Sequence, residues 1–334
     1  MSERDENSRN VDGGSFHHLP VMASEIIEAL SPVPPGWLVD ATVGGGGHAE
    51  QLLRARPDCR LLGIDRDRTA LAASGARLAA FGDRVVLRHA RFDQLNTVMT
   101  DLRIPAASAV LFDLGVSSPQ LDRGERGFSY RQSGPLDMRM DADEITTAGD
   151  VVNGYSQAEL ARVLRQHGDE RFSERIASAI VAARPIETTS ELAEIVRDAI
   201  PAPARRKGGH PAKRTFQAIR IEVNRELEIL PAALDRAIDL TAPGGRVAVL
   251  SYHSGEDRIV KERFRYALTG GCTCPQGLPC VCDAVQTVRL VKVAKKPSQL
   301  EEHSNPRAES ARLRVVERLG TPEGGSPLPK VVNG

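Results

Sequence analysis

"ATVGGGGHAE", residues 41–50, sets four consecutive glycines directly behind the short apolar run "WLVD" (37–40). Glycine loses more backbone freedom on ordering than any other residue. Four in a row are therefore expected only where the chain turns sharply or lets something come close. "HAEQLLRAR" (48–56) reads as a helix, so the glycines join a strand to a helix and satisfy the loose nucleotide pattern G-x-G-x-x-[GA]. A flexible linker is the rival reading, and the neighbouring segments speak against it. "RLLGIDRD" (60–67), "RVVLRHARF" (84–92) and "AASAVLFDLGV" (106–116) are further apolar strands, with a helical stretch, "TALAASGARLAAF" (69–81), between the first two. Strands and helices alternating at this spacing predict a parallel sheet covered on both faces.

In such a sheet ligands sit beyond the carboxyl ends of the strands, where the strand order reverses. The residues just past each strand are Gly44–Gly47 and His48 after the first, and Asp65 after the second. Arg91, Phe92 and Asp93 follow the third, and Asp113 follows the fourth, with Gln120 a little beyond. Asp65 is placed to accept hydrogen bonds from two ribose hydroxyls, and Phe92 to lie against an adenine. Asp40, four residues before the glycines, separates the candidate ligands. A carboxylate there repels a dinucleotide's pyrophosphate, whereas a sulfonium with an ammonium group welcomes it. The pattern therefore fits S-adenosylmethionine better than NAD, and a NAD-dependent oxidoreductase becomes the weaker alternative. Capping of a helix or turn explains Asp40 or Asp113 singly, but not acids after three strands of one edge.

The rhythm stops after Val116. "SSPQLDRGERGFSYRQSGPLDMRMD" (117–141) is a long loop-like stretch, which predicts either function or disorder. Helices follow, two of them opening on capping boxes, Ser156 with Glu159 and Thr188 with Glu191. "TFQAIRIEVNRELEILPAALDRAIDL" (215–240) is helical in period throughout. The strand pattern resumes at "GGRVAVLSYHS" (244–254), followed by the helix "GEDRIVKERFRYAL" (255–268). The expected organisation is a discontinuous catalytic domain, residues 15–120 and 231–319, interrupted by a helical insertion at 121–230. The termini, 1–14 and 320–334, read as disordered.

Four blocks make the reading specific: "DLGVSSPQLD" (113–122), "RGFSYRQSGPLDMRMD" (126–141), "HPAKRTFQAIRIEVNREL" (210–227) and "SYHSGEDRIVK" (251–261). In order and content they resemble the RsmH/MraW family of S-adenosylmethionine-dependent ribosomal RNA methyltransferases, over about His18 to Arg318. The resemblance implies a Rossmann-like class I methyltransferase sheet of α/β class, interrupted by a helical domain for RNA recognition. It also implies methylation of a cytidine N4 in the decoding centre of 16S rRNA, within the small ribosomal subunit, and a homodimer. The family's cofactor contacts fall on Gly46, Gly47, His48, Asp65, Phe92, Asp113 and Gln120. Gly45 and Gly255 stand where the family commonly has a basic residue and a leucine. Intact glycines and acids argue against the remaining alternative, a non-catalytic RNA-binding ribosome assembly factor.

A cytosine amine is a poor nucleophile until hydrogen-bond acceptors localise its lone pair. Asp113, helped by Ser117 or Ser118, is the expected acceptor set. RNA contacts are expected from a run of six basic residues without an acid: Arg205, Arg206, Lys207, Lys213, Arg214 and Arg220. His253 either lines the target site or is structural. Formal net charge is zero over 334 residues, so attraction to RNA must come from such a local patch. The chain has no apolar run long enough to span a membrane and a polar N-terminus, so a cytoplasmic protein is expected. Its 41% hydrophobic and 26% charged residues suit a globular domain. Cys272, Cys274, Cys280 and Cys282 form C-x-C-x5-C-x-C, which suits either a tetrahedral zinc or plain thiols, and no metal ligand is assigned. Cys59 reads as a buried thiol without a role.

Overall fold

The computed structural model describes residues 20–205, 209–275, 281–305 and 308–320. The expectations of disordered ends fall outside these residues, apart from Gly320. Seven strands form one sheet: β1 (Trp37–Asp40), β2 (Arg60–Asp65), β3 (Val85–His89), β4 (Ala107–Asp113), β5 (Thr241–Ser251), β6 (Val288–Leu290) and β7 (Arg312–Arg318). Their order is β3-β2-β1-β4-β5-β7-β6, with β1 to β5 parallel and β7 antiparallel to both its neighbours. This is the α/β, Rossmann-like arrangement expected from the alternation of strands and helices. The order reverses between β1 and β4, which puts the ligand crevice at their carboxyl ends.

The strands are apolar runs because both faces are covered. Val39, Leu62, Ile64, Val110, Phe112, Val247 and Val249 point to one face. There α4 (Leu95–Asp101), α12 (Glu226–Leu240) and α13 (Ser254–Thr269) supply Leu95, Leu234 and Phe264. Leu38, Leu61, Ala109, Leu111, Ala248 and Leu250 point to the other, against α1 (Ala23–Leu30), α2 (Gly47–Ala55) and α3 (Arg68–Leu78). The alternation is the period-2 consequence of a pleated strand buried on both sides. The short α5 (Ser118–Asp122) follows β4, and α14 (Gln299–Ser304) precedes β7.

Between them lies a second apolar cluster, built from α6 (Ala148–Gly154), α7 (Gln157–Gly168), α8 (Ser173–Ala183), α9 (Thr189–Ala199), the short α10 (Ala202–Arg205) and α11 (Lys213–Asn224). Both capping boxes form: Glu159 accepts from the Ser156 amide at 2.8 Å, and Glu191 from the Thr188 amide at 3.3 Å. Such caps contribute about 1 kcal/mol each. The cluster ends at Val223, and from Leu230 onward α12 packs on the sheet. The helix read as continuous over 215–240 is in fact two, because Arg225 takes a left-handed conformation (φ 52°) that ends α11 and starts α12.

The 117–141 loop has no periodic pattern, yet it is pinned. A Cβ on Gly127 would lie 2.2 Å from the Pro135 carbonyl oxygen, and one on Gly134 1.9 Å from that of Gly124. Bare backbone thus crosses bare backbone. Arg126 donates to the carbonyls of Arg139 and Met140, and Asn224 bonds the main chain of Met138 and Met140.

Candidate active site

A cavity of about 980 Å³ opens at the carboxyl ends of β1, β2, β3 and β4 and extends to the helical cluster. Its sheet side is acidic. Asp40, at the end of β1, is 2% exposed, and burial pushes its carboxyl up to about 7; His48 opposes the rise, and Asp113 and Asp65 add to it. Asp65, at the end of β2, is pushed up to about 6, again by burial, against hydrogen bonds from the Asp67 and Gly44 amides. Those amides donate to its two oxygens at 2.8 Å each, so Asp65 ties the glycine loop to β2. Asp113, at the end of β4, accepts from the Tyr252 hydroxyl at 2.7 Å. The Asp113 amide in turn donates to Thr42 Oγ1 at 2.7 Å. Burial and the Asp113 charge drive the Tyr252 phenol well above its usual range, so it stays a donor.

Two buried polar atoms beside these acids lack a hydrogen bond among the described residues: His48 Nε2 and Ser117 Oγ. His48 Nε2 stands 3.5 Å from Asp113 Oδ2, too far for a normal hydrogen bond. Buried polar groups are nearly always paired in native structures. Both residues line the cavity, and each has a bond to offer a ligand there.

The helical side of the cavity is aromatic and basic. Tyr130 stacks on His210 (ring centroids 4.5 Å apart) and meets Phe216 edge to face at 5.8 Å. Tyr130, Phe216, Arg131 and Lys213 all line the cavity. The volume lies at the upper end for one small ligand, and its two walls differ in chemistry.

Residues 15–319 match the MraW methylase family. The chain belongs to that family. Among its relatives is a protein of Symbiobacterium thermophilum named "Ribosomal RNA small subunit methyltransferase H". It is 52% identical over 314 residues, covering 91% of this chain and 98% of its own. A protein of the same name from Thermobifida fusca is 51% identical over 313 residues, covering 91% and 94%.

Within this MraW methylase the expected cofactor residues are placed unequally. Gly47, His48, Asp65, Phe92, Asp113 and Gln120 line the cavity. Gly46 does not. It caps α2 in a left-handed conformation (φ 77°), and a Cβ there would lie 3.2 Å from Ser74 of α3. Gly44 and Gly45 line the cavity in its place, and a Cβ on Gly45 would meet nothing within 4 Å. Gln120 is 4% exposed with its amide already engaged: Nε2 donates to Asp67 at 3.0 Å and Oε1 accepts from the Ser117 amide at 2.9 Å. It braces the loop that carries Ser117. Phe92 packs edge to face on Phe112 at 5.8 Å. The Ser118 side chain lies outside the described residues.

The basic run divides more sharply. Arg220 is not a free phosphate contact: it forms a two-pronged ion pair with Glu226 at 2.8 and 3.0 Å, both side chains largely buried. Arg205 closes the end of α9, donating to the carbonyls of Ile200 and Asp198. Arg214 is exposed and donates to the Asp169 carbonyl at 3.1 Å. Lys213 is exposed and lines the cavity, while Arg206 and Lys207 lie outside the described residues. His253 both lines the cavity and caps α13, its Nδ1 accepting from the Glu256 amide at 3.4 Å.

Sequence reasoning did not assign Tyr252, although it directly follows β5 and the rule that found Asp113 reaches it. Arg66 is 9% exposed, lines the cavity and donates to the Asn224 carbonyl at 2.9 Å. Glu226 reaches the cavity through the turn at Arg225, which leaves no sequence signal. Among the described residues no helix is long and apolar enough to cross a membrane.

Proposed function

We propose that this chain methylates the N4 amine of a cytidine in 16S rRNA, in the decoding centre of the small ribosomal subunit, with S-adenosylmethionine as donor. Membership of the MraW methylase family and the naming of its relatives support the rRNA methyltransferase reading. The observation that carries it is one cavity joining an acid-lined strand edge to an aromatic and basic wall.

The residues present fit the donor. S-adenosylmethionine supplies an electrophilic methyl group on a positively charged sulfur. Asp40 and Asp113 offer negative charge beside the open main chain of Gly44 and Gly45. Asp65 keeps lone pairs for ribose hydroxyls after accepting one amide on each oxygen. Phe92 offers an apolar face, and His48 Nε2 a free position.

At the acceptor side the chain must hold the amine in line and draw on its N–H groups. Tyr252 fixes Asp113 Oδ1, which leaves Oδ2, near His48, with capacity to accept. Ser117 Oγ is a second acceptor. Positioning of this kind removes roughly 7–11 kcal/mol of barrier in favourable cases. The amine proton becomes acidic only as the new bond forms, so no strong base is needed to receive it. Tyr130 and Phe216 give an unstacked base an aromatic surface, offsetting the few kcal/mol that leaving its stack costs. Arg131 and Lys213 face the RNA backbone.

The test is transfer from tritiated S-adenosylmethionine to small ribosomal subunits that lack the modification, followed by nucleoside analysis. Label in N4-methylcytidine is the expected result. Label in another nucleoside, or none, overturns the proposal.

A further inference from the structure

Three cysteines converge far from the cavity. The Sγ atoms of Cys272, Cys274 and Cys282 all lie within 4.8 Å of one another. They sit past the end of α13, whose 16 residues span about 24 Å from the His253 end. None of the three lines the cavity.

Apolar packing does not account for the meeting. From Cys272 to Thr287 no described residue is buried, and Val281 and Val285 are 91% and 58% exposed. A segment with so little core is the kind that small structures fasten with a metal or a cross-link. The backbone prepares the approach. α13 ends in two glycines of positive φ, Gly270 (61°) and Gly271 (76°). A Cβ on Gly270 would lie 2.4 Å from the Val285 carbonyl oxygen, and one on Gly271 2.7 Å from the Tyr266 ring. The returning limb therefore passes directly against bare main chain. Amides of Gly271, Cys272 and Thr287 donate to the carbonyls of Tyr266, Thr269 and Ala267 at 3.0, 3.1 and 3.0 Å. Both limbs are clamped to the last turns of α13, and the sulfurs meet beyond the clamp.

We propose that Cys272, Cys274 and Cys282 form a structural zinc site that fastens this loop and, through it, the edge strand β6. Sulfurs around a tetrahedral zinc at about 2.3 Å stand about 3.8 Å apart, so the sulfurs need close in by no more than about 1 Å. Binding converts three thiols to thiolates with release of three protons, leaves one coordination position for water or another donor, and changes no oxidation state. Thiolate ligands select zinc over magnesium or calcium. Cys280 lies outside the described residues and is not counted in the site.

The full chain, purified under reducing conditions without chelator or immobilised metal, is dialysed against metal-free buffer and assayed for zinc by mass spectrometry. About one zinc per chain is expected. The Cys272→Ser/Cys274→Ser double variant should lose it, and Cys282→Ser should surrender zinc to a chromophoric chelator that the wild type resists. Cys282 is exposed, so that variant reports even where the double one fails to fold. Removing the metal should raise hydrogen exchange in residues 264–290 and leave 38–65 unchanged. Three results overturn the site: no retained zinc after reconstitution with equimolar zinc sulfate, undiminished zinc in the folded double variant, or a disulfide among the three cysteines in the intact mass.

Discussion

Replacing Asp40 with asparagine should make the free protein more stable and the methyl donor bind less well. Asp40 is buried at the end of β1, between His48 and the carboxyls of Asp113 and Asp65. Burial lifts its carboxyl from the ordinary 3.8 to about 7. A group raised in this way stabilises the fold fully only at low pH, below its unfolded value. As pH rises through the interval from 3.8 to about 7 the unfolded chain ionises first, and stability drains away. The loss converts to about 4 kcal/mol at pH 8, where asparagine carries no such penalty. Asparagine also keeps the oxygen that accepts the Thr42 amide at 3.2 Å. Urea unfolding of both proteins without ligand should show the variant ahead by up to about 4 kcal/mol at pH 8, the gap closing to about 1 kcal/mol or less near pH 4.

Calorimetry should show the opposite sign for the ligand. If the donor's positive charge requires ionised Asp40, wild-type affinity at pH 6 is about tenfold weaker than at pH 8. Binding near pH 6 then releases a proton, visible as a heat that changes with the buffer. The Asp40→Asn substitution removes that pH dependence and weakens the donor more than its uncharged demethylated product. A variant no more stable than wild type at pH 8, or one that loses donor and product equally, refutes the assignment of a buried, ligand-facing carboxyl.

The glycine loop offers a paired test: Gly45→Ala should leave both thermal stability and donor binding close to wild type, because its Cβ would meet nothing within 4 Å. Gly46→Ala should instead cost about 1–2 kcal/mol of stability, measured by urea unfolding, through its left-handed backbone and the Ser74 contact. Binding of single-stranded RNA should weaken steeply with salt, and Lys213→Ala should flatten the logarithmic slope by about 0.7. Arg220→Ala should appear as about 3–5 kcal/mol of lost stability from the broken ion pair with Glu226. Tyr252→Phe should keep the fold and donor affinity but lower kcat, since a hydrogen bond to a charged group, about 1.5–3 kcal/mol, no longer orients Asp113.

The strand edge was legible because its signals are local. An apolar run ending in an acid, as in "WLVD", "LLGID" and "AVLFD", gives both the strand and the residue at its carboxyl end. The capping boxes were legible for the same reason. What stayed hidden depends on where the chain goes next. Four identical glycines carry no mark that separates Gly45, facing open space, from Gly46, packed on α3. A run of six basic residues does not separate Lys213 from Arg220 either. The partner of Arg220 lies six positions on and reaches it only because Arg225 turns the chain without a glycine. Charge counting sees the sign of a side chain but not whether an acid has been folded against it.

That turn also explains how the largely irregular 117–141 loop can form part of the cavity wall. The connection after β2 is bonded to both of its partners: Arg66 donates to the Asn224 carbonyl and Asp67 accepts from Arg126 at 2.9 Å. Asn224 returns to the loop through Met138 and Met140. Burial alone would raise the Asp67 carboxyl, but hydrogen bonds from Gln120 and Arg126 outweigh it and hold the group below its ordinary range. Asp67 is thus a charge shared among the cap of α3, the brace under Ser117 and the 117–141 loop. The acidic strand edge and the 117–141 loop are built on the same few bonds. The loop that carries Tyr130 into the aromatic wall is consequently held by the parts that order the acidic one, while α11 supplies Phe216.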